Sequence, residues 1–331
     1  SESIRTLHQS RDSGIKAQSF DIIRYFPGTQ VKDYGGLGGL KTVSVRSLGA
    51  HHTGVVYDGI PITDMQGGQI DLGKLFTGSL QSIALYNAQP DRLLQPARVF
   101  ASASSIYLQS STELHPGWKA QFSLRGGSVG FVNPSLQLAY SDNRHQLHNL
   151  QFEWQSATGN YPFNAYDTGG TVKRQNADLQ QFRLEYNGCW RGKDSSLLRW
   201  KWNAYRSDRG LPGSVIFFNP ISAQRLKNQD WFLQTSYEKS IDKRTRVLLS
   251  GKYNHLYTFY RDPNFLSSSG KLENRFTEQE LYGSVAMEHR FNNWFTTSVS
   301  GDGFYNQLRR SGEFLTDTAN PNRTGWLVNL A

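Results

Sequence analysis

The chain has 331 residues, a formal net charge of +9, 13% aromatic residues and a mean hydropathy of −0.57. Its 37% hydrophobic and 19% charged residues exclude a disordered chain, and its single cysteine, Cys189, excludes an internal disulfide. Lysine and arginine are dispersed without a basic block, so the positive charge does not predict nucleic-acid binding; attraction to anionic lipopolysaccharide explains it as well.

Many aromatic residues combined with low mean hydropathy are typical of an outer-membrane barrel, whose lipid-facing apolar side chains alternate with polar lumen-facing ones. A soluble all-β protein can have the same composition. No segment of the sequence approaches the roughly 18 consecutive apolar residues of a membrane helix. If this chain enters a membrane, it therefore crosses it with strands.

A glycine-rich stretch over residues 35–68 organises the N-terminal third of the sequence. A small helix is predicted before it, ending at Pro27 and Gly28. Within it, two β-prone runs at 42–48 and 54–58 lie between glycine-dense corners, which predicts strands joined by tight turns.

The sequence VRSLGAHHTGVVYDGIPI in this stretch resembles the plug-domain signature of TonB-dependent outer-membrane receptors. In that signature an Ile-Arg-Gly strand is followed by a strand that ends in Ile-Asp-Gly-Val-Pro. The matching positions are Val45, Arg46, Asp58, Gly59, Ile60 and Pro61. The sequence departs from the family at Ser47, which replaces a glycine, and after Ile83, where most of the family's glycines are missing. The resemblance implies a mixed α/β plug domain over residues 1–112.

From Trp118 onward, apolar and polar residues alternate with the period of two that is typical of strands. The predicted strands cover residues 119–126, 131–141, 145–156, 178–188, 195–207, 230–240, 244–260, 277–291, 294–308 and 323–331. Many reach the length of about 9 to 11 residues that a tilted strand needs to cross a bilayer. After residue 141, short turns and long loops alternate between the strands, as they do at the periplasmic and extracellular ends of outer-membrane barrels. Aromatic residues cluster near both ends, as two interfacial girdles require.

These patterns predict a membrane all-β fold, in which residues 113–331 form about ten strands of an antiparallel transmembrane β-barrel. Roughly 22 strands are needed to enclose a plug, so we expect this chain to be the N-terminal half of a receptor. Within the family, the sequence GGLGGL at residues 35–40 is most similar to the vitamin B12 receptor branch.

The sequence predicts no enzyme, cofactor or metal site, because it contains no catalytic or phosphate-binding motif. Adjacent His51 and His52 would point to opposite faces of a strand and could not chelate one ion together. Asp58 is interpreted as a turn carboxylate or as an ion-pair partner of Arg46, since a buried charge is tolerated only when it is paired.

The resemblance places ligand contacts on the two apical loops of the plug. We expect these contacts at Gly35, Gly36, Leu37 and Gly38, and at Asp64, Met65 and Gln66. Glycine suits such a site because it exposes the backbone to a bulky ligand at close range. Aromatic residues of two barrel loops are further candidates: Tyr161, Phe163, Tyr166, Phe217 and Phe218. Ordinary tight turns and loop packing are the alternatives for both sets.

The implied function is TonB-dependent uptake of a scarce nutrient across the outer membrane of a Gram-negative bacterium. The expected ligand is a corrinoid, or else an iron-siderophore, haem or an oligosaccharide. The expected partners are the TonB energy-transducing complex of the inner membrane, outer-membrane lipid and lipopolysaccharide, and the nutrient itself with or without a surface lipoprotein. Two alternatives remain open, a passive porin-like channel and a β-rich surface binding protein.

Overall fold

The structure is a computed structural model that describes residues 5–8, 23–76, 78–86, 92–113, 115–142, 144–165, 169–213, 222–266, 270–314 and 320–331. Among these residues, no helix is both long and apolar enough to span a membrane. The helix predicted to end at Pro27 and Gly28 is described only from Ile23, where Ile23 is helical and residues 24–28 form turns and a bend.

Seven strands and three short 3₁₀ helices form an N-terminal unit. The strands are β1 (Arg5–His8), β2 (Thr29–Tyr34), β3 (Leu40–Val45), β4 (Thr53–Tyr57), β5 (Ile60–Ile62), β6 (Leu80–Tyr86) and β7 (Ser104–Ser110). The 3₁₀ helices are Ala50–His52, Leu72–Lys74 and Ala97–Ala101. One sheet has the order β1-β6-β7-β4-β5, in which β4 and β7 run parallel, and β2 pairs with β3 in a separate hairpin.

Two tight turns in this unit require a left-handed backbone. Asp58 (φ 50°) and Gly59 (φ 87°) join β4 to β5, as expected for a two-residue hairpin turn that needs positive φ at both central positions. Arg46 (φ 50°) and Ser47 (φ 61°) form a similar turn after β3, closed by a hydrogen bond from the amide of Leu48 to the carbonyl of Val45. Ser47 therefore keeps the left-handed conformation that the family's glycine would adopt freely.

The rest of the chain forms one antiparallel sheet of ten strands. They are β8 (Gly117–Gly127), β9 (Phe131–Ser141), β10 (Gln146–Ala157), β13 (Leu179–Arg191), β14 (Leu197–Leu211), β15 (Gln224–Ser240), β16 (Thr245–Asp262), β17 (Leu272–Arg290), β18 (Thr296–Gly312) and β19 (Asn322–Leu330). Each strand pairs with its neighbours in sequence, so β8 and β19 are the two edges. A small hairpin of β11 (Pro162–Ala165) and β12 (Gly170–Lys173) lies in the loop between β10 and β13.

The connections between the strands confirm the predicted alternation of short turns and long loops. Short turns occur at residues 142–145, 192–196, 241–244 and 291–295, and long loops at 158–178, 212–223, 263–271 and 313–321. Consecutive strands run in opposite directions, so these four short turns lie at one end of the sheet and the four long loops at the other. The β8–β9 connection is short although it lies at the long-loop end.

The two parts of the chain bury opposite kinds of residue. The N-terminal unit has an apolar core that includes Val55, Leu72, Ile106 and Leu108. In the ten-stranded sheet, most side chains buried on the face toward the N-terminal unit are polar, whereas apolar side chains are exposed on the other face. On β17, for example, Glu280 is 0% exposed while its neighbour Leu281 is 61% exposed. This is the burial pattern of a membrane barrel wall.

Three expectations of the sequence analysis are refined or remain predictions. His51 and His52 do not lie on a strand, as the chelation argument assumed, but in the 3₁₀ helix Ala50–His52, where both are exposed. The strand predicted at 42–48 is β3, which pairs with β2 and not with the ten-stranded sheet. The proposed domain boundary near residue 112 stays a prediction.

Candidate ligand-binding site

The first candidate loop is the turn between β2 and β3. Gly35, Gly36 and Gly38 have φ angles of 110°, 66° and 69°, a region that side-chain-bearing residues rarely adopt. Asp33 supports the turn, because its Oδ1 accepts a hydrogen bond from the amide of Gly36 at 3.0 Å and its Oδ2 pairs with Lys41 Nζ at 2.5 Å. Lys41 Nζ also donates to the carbonyl of Gly36 at 3.1 Å. The backbone is therefore held in one conformation although it is built from glycine.

This turn lies against the ten-stranded sheet, here called the wall, at the end of the sheet where the long loops lie. Arg209, near the end of β14, donates a hydrogen bond to the carbonyl of Gly38. A Cβ atom added to Gly38 would lie 2.7 Å from Leu179, the first residue of β13. A Cβ atom added to Gly36 would have no atom within 4 Å. Gly38 thus packs against the wall, whereas Gly36 faces open space.

The second candidate loop follows β5 and is anchored at the same end. Asp64 Oδ1 accepts hydrogen bonds from the amides of Gly67 and Gly68, and the amide of Met65 donates to Glu278 Oε2 at 2.9 Å. Glu278 lies six residues after the start of β17, which begins at a long loop. Gln66 is exposed at the tip of the loop.

His51, which the sequence analysis did not predict as a ligand contact, lies in the same region. His51 Nε2 lies 2.8 Å from Gln69 Nε2, at the end of the second loop. His51 therefore borders the candidate site. No group of three or more potential metal ligands occurs among the described residues.

The aromatic candidates on the barrel loops are only partly described. The rings of Tyr161 and Phe163 lie 6.2 Å apart at the start of the β11–β12 hairpin, and the Arg174 guanidinium lies 5.9 Å from the Phe163 ring. Tyr166, Phe217 and Phe218 lie outside the described residues. The structure therefore places the glycine turn and the second loop at one end, together with Tyr161 and Phe163 in a long loop of that end.

Apart from these loops, the N-terminal unit contacts the wall through buried ion pairs. Lys201 Nζ lies 2.9 Å from Asp58 and 3.5 Å from Glu185, and it donates to Ser110 Oγ at 2.7 Å. Asp58 also accepts hydrogen bonds from the Ser110 amide and hydroxyl, which makes it a turn carboxylate as predicted. Its described ion-pair partner is Lys201, so the proposed pairing with Arg46 was wrong.

A second buried group repeats this arrangement on the other side of the β4–β5 hairpin. Glu280 pairs with Lys252 at 2.8 Å and with Arg98 at 2.6 Å. Lys252 Nζ also donates to the carbonyl of Pro61 at 2.7 Å. We call the two groups together the polar seam: Asp58, Glu185 and Lys201, with Arg98, Lys252 and Glu280.

Tyr57 packs on the first group, with Lys201 Nζ 3.3 Å from its ring centre. Its hydroxyl donates to Glu185 Oε2 at 2.8 Å. Burial, reinforced by the Glu185 and Asp58 carboxylates, raises the pKa of Tyr57 well above its usual range. The hydroxyl therefore stays protonated and remains a donor to Glu185.

A comparison with protein families decides the nature of the N-terminal unit. Residues 8–101 match the profile of the TonB-dependent receptor plug domain. These residues are similar to such plugs along nearly the whole N-terminal unit. The match supports the TonB-dependent receptor family. From here on, the N-terminal unit is called the plug and the ten-stranded sheet the barrel wall.

Solved structures with similar folds agree. The copper transporter OprC superposes with a TM-score of 0.72 at 15% identity, covering 98% of this chain and 49% of that one. The unliganded ferric citrate transporter FecA gives a TM-score of 0.66 at 11% identity, covering 97% and 51%. The ferric yersiniabactin receptor FyuA from Yersinia pestis gives 0.56 at 13% identity, covering 99% and 60%. A search of curated proteins found no match.

These likenesses show a shared fold. The chain spans about half the length of the first solved structures that it matches. The fold is thus a plug domain followed by antiparallel barrel strands, as the alternation of residues predicted.

Proposed function

We propose that this chain belongs to a receptor that imports a scarce nutrient across the outer membrane of a Gram-negative bacterium, with energy from the TonB complex of the inner membrane. The observation that carries this proposal is the glycine turn at 35–38. It is held rigidly at the long-loop end of the wall, yet the Cβ direction of Gly36 is open. A large ligand can therefore approach the backbone of Gly36 closely.

The inverted burial of the wall supports the membrane location. Leu233, Leu249, Leu281 and Val285 form an exposed apolar surface, with Trp231 and Tyr257 nearer the long loops. This order of aliphatic and then aromatic residues matches a bilayer core followed by its interface.

Lipopolysaccharide is a suitable lipid partner at the long-loop end. Arg261, Lys271 and Arg275 surround the single carboxylate of Glu273 at 3.6, 3.7 and 3.1 Å. Arg261 and Arg275 lie on the lipid-facing side of their strands, because they share their parity with exposed Leu249 and Leu281. Arg261 also stands directly opposite Arg225 on β15. Arg225 is itself paired with Asp178 and Asp208 at 2.9 and 2.7 Å, so the cationic groups offered to an anionic headgroup are those around Glu273.

The polar seam supports a transport mechanism in which the plug moves relative to the wall. An apolar interface would expose hydrophobic surface when pulled apart, whereas carboxylates, ammonium groups and guanidinium groups can exchange their partners for water. Coupling to the inner membrane supplies the work, since a charge moved across that membrane gains about 2.3 kcal/mol per 100 mV. In this proposal the receptor carries out transport and no catalysis.

A corrinoid is the first substrate candidate, supported by the similarity of residues 35–40 to the apical loop of vitamin B12 receptors. An iron chelate is the second candidate, supported by fold likeness to the ferric citrate transporter FecA. A surface lipoprotein remains a proposed additional partner.

The test compares Gly36→Val with Asn293→Ala in the full-length receptor. Valine at φ 66° would be strained and would fill the open space, so we expect ligand affinity to fall by about 5- to 150-fold, which corresponds to about 1 to 3 kcal/mol. Asn293 is exposed in the turn 291–295 at the opposite end, and its replacement should leave binding unchanged. Titration with cyanocobalamin and with ferric citrate measures the effect. Unchanged binding of both ligands to a correctly folded Gly36→Val receptor would contradict a site at this turn.

A further inference from the structure

A cavity of about 420 Å³ lies at the opposite, short-turn end, between the plug and the wall. The polar residues that line it are Arg92 of the plug and Ser195, Arg199, Glu238, Ser240 and Arg246 of the wall. If the long loops face outward, as proposed above, this cavity opens toward the periplasm. We call it the exit pocket.

The exit pocket has more positive than negative groups. Three arginines line it, and Glu238 is its only lining carboxylate among the described residues. Arg92 Nη2 lies 2.5 Å from Glu238 Oε2, and Arg246 lies 3.7 Å from Glu238 Oε1. Arg246 also pairs at 2.7 Å with Glu288, which lies outside the lining. Even when Glu288 is included, one of the three guanidinium groups has no carboxylate in the pocket to match it. Asp58, which lines an adjoining cavity, is already paired with Lys201 at 2.9 Å.

That guanidinium belongs to Arg199. Its Nε is buried and has no hydrogen-bond partner among the described residues. A buried N–H of a charged group without a partner loses its hydration at a cost of about 1 to 3 kcal/mol or more. In a pocket that already contains Arg92 and Arg246, an acceptor that carries negative charge would relieve both this loss and the repulsion between the arginines.

Arg199 also connects the exit pocket to the interior of the seam. A second cavity of about 20 Å³, roughly the space of one water molecule, is lined by Arg199 together with Asp58 and Lys201. Arg199 thus lies on the boundary between the polar seam and the exit pocket. A molecule that passes between plug and wall would reach this guanidinium as it leaves the seam.

From this geometry we propose that the exit pocket is a binding site for an oxyanion, a carboxylate or phosphate group of the substrate as it leaves between plug and wall. Guanidinium groups suit this role because they present paired N–H donors that match the two oxygens of a carboxylate or phosphate. The pocket volume exceeds a single such group and accepts a small organic acid. The identification of the anion's source as the substrate rests on the proposed transport function; the anion site itself does not.

The first test measures anion binding directly. Full-length receptor in detergent is titrated with citrate and with orthophosphate by calorimetry at low salt, and again at higher ionic strength, where screening should weaken binding. We expect Arg199→Gln to lower the affinity at least tenfold. Arg246→Gln, which removes a more exposed guanidinium of the same pocket, should lower it as well. Arg144→Gln is the matched control, since Arg144 is an exposed arginine in the turn 142–145 at the same end. No binding to the wild-type receptor, or equal loss in the control, overturns the proposal.

The second test decides the source of the anion. Uptake of ferric citrate is compared in cells that express the wild-type receptor or Arg199→Gln at equal surface levels. Slower uptake by Arg199→Gln, with unchanged binding of ferric citrate from outside, supports an exit site for the substrate. Uptake at the wild-type rate, combined with lost anion binding in the purified receptor, shows a site for a free periplasmic anion and overturns the substrate role. If neither cell imports any ligand, the transport function fails while the calorimetric result still decides the pocket.

Discussion

The plug and the barrel wall bury opposite residues, although both consist mainly of β-strands. Leu108 of the plug is 1% exposed in an apolar core, whereas Leu281 of the wall is 61% exposed. Conversely, Lys201 and Glu280 of the wall are among the most deeply buried side chains of the molecule. The plug folds like a domain in water, and the wall like a domain whose outer solvent is lipid.

The difference shows why the two regions need each other. The face of the wall toward the plug carries charges that would remain without partners in an apolar environment, and the plug supplies Asp58, Arg98 and the carbonyl of Pro61 to them. The plug also contacts the wall through apolar side chains: Phe232 packs with the plug core, and Leu94 packs with Leu248 and Ala286. Association through buried charges is specific, and it is compatible with the plug movement proposed above.

The largest expected effect follows from breaking this contact at Lys201. Lys201→Met would leave the Asp58 and Glu185 carboxylates buried without their shared cation, because the Lys201 side chain is 1% exposed and lies within 3.5 Å of both. Loss of one partner of a buried ion pair costs about 3 to 5 kcal/mol. We expect faster amide hydrogen exchange in β4 and β5, measured by mass spectrometry on the full-length receptor.

The matched control for this variant is Lys239→Met. Lys239 pairs with Asp194 at 2.9 Å, but its side chain is 44% exposed, and exposed pairs contribute only about 0 to 1 kcal/mol. Similar exchange in the two variants would mean that the seam does not hold the plug.

A substitution on the opposite face tests the lipid side of the comparison. Leu281→Arg would place a charge on the apolar surface near the middle of β17, where arginine costs about 2 to 4 kcal/mol. Leu266→Arg serves as control, because Leu266 is 98% exposed in a long loop. Equilibrium folding into lipid vesicles, followed by heat-modifiable gel mobility, measures the difference. Equal stability of both variants would indicate that this face of β17 does not contact lipid.

The sequence alone could predict the strands of the wall because alternation marks them directly. The strand predicted at 131–141 has the observed bounds of β9, but the one predicted at 230–240 begins at Gln224. Its first residues extend beyond the apolar band, where outward positions such as Lys227 are polar and the alternation ends. Strand ends outside the lipid region therefore carry no periodic signal.

The seam could not be predicted in the same way. Alternation does assign Lys201 and Glu185 to the polar face, but their contact depends on the β13–β14 register and on the seating of the Asp58 turn. The glycine turn at 35–38 became a candidate ligand site only through family resemblance, because glycines alone do not distinguish a ligand site from a tight turn. Alternation also assigns Arg199 to the face of Lys201, but the missing hydrogen-bond partner of its Nε could not be predicted, since its surroundings come from three separate segments of the chain.

The smallest expected effect concerns Ser47 and tests whether the plug follows the rules of a water-soluble domain. Ser47 is exposed at φ 61°, and a left-handed conformation costs a residue with a side chain about 1 to 2 kcal/mol. Ser47→Gly removes that strain but adds about 0.5 to 1 kcal/mol of backbone entropy loss on folding, so the net stabilisation should be about 0.5 to 1 kcal/mol. Ser44→Gly in β3 is the control, because Ser44 is buried in a strand and glycine there should destabilise it by a similar amount. Hydrogen exchange of the Leu48 amide, which closes the turn on the Val45 carbonyl, should slow in Ser47→Gly and not in Ser44→Gly. Faster exchange of this amide in Ser47→Gly would show that the serine side chain stabilises the turn by an interaction that outweighs its backbone strain.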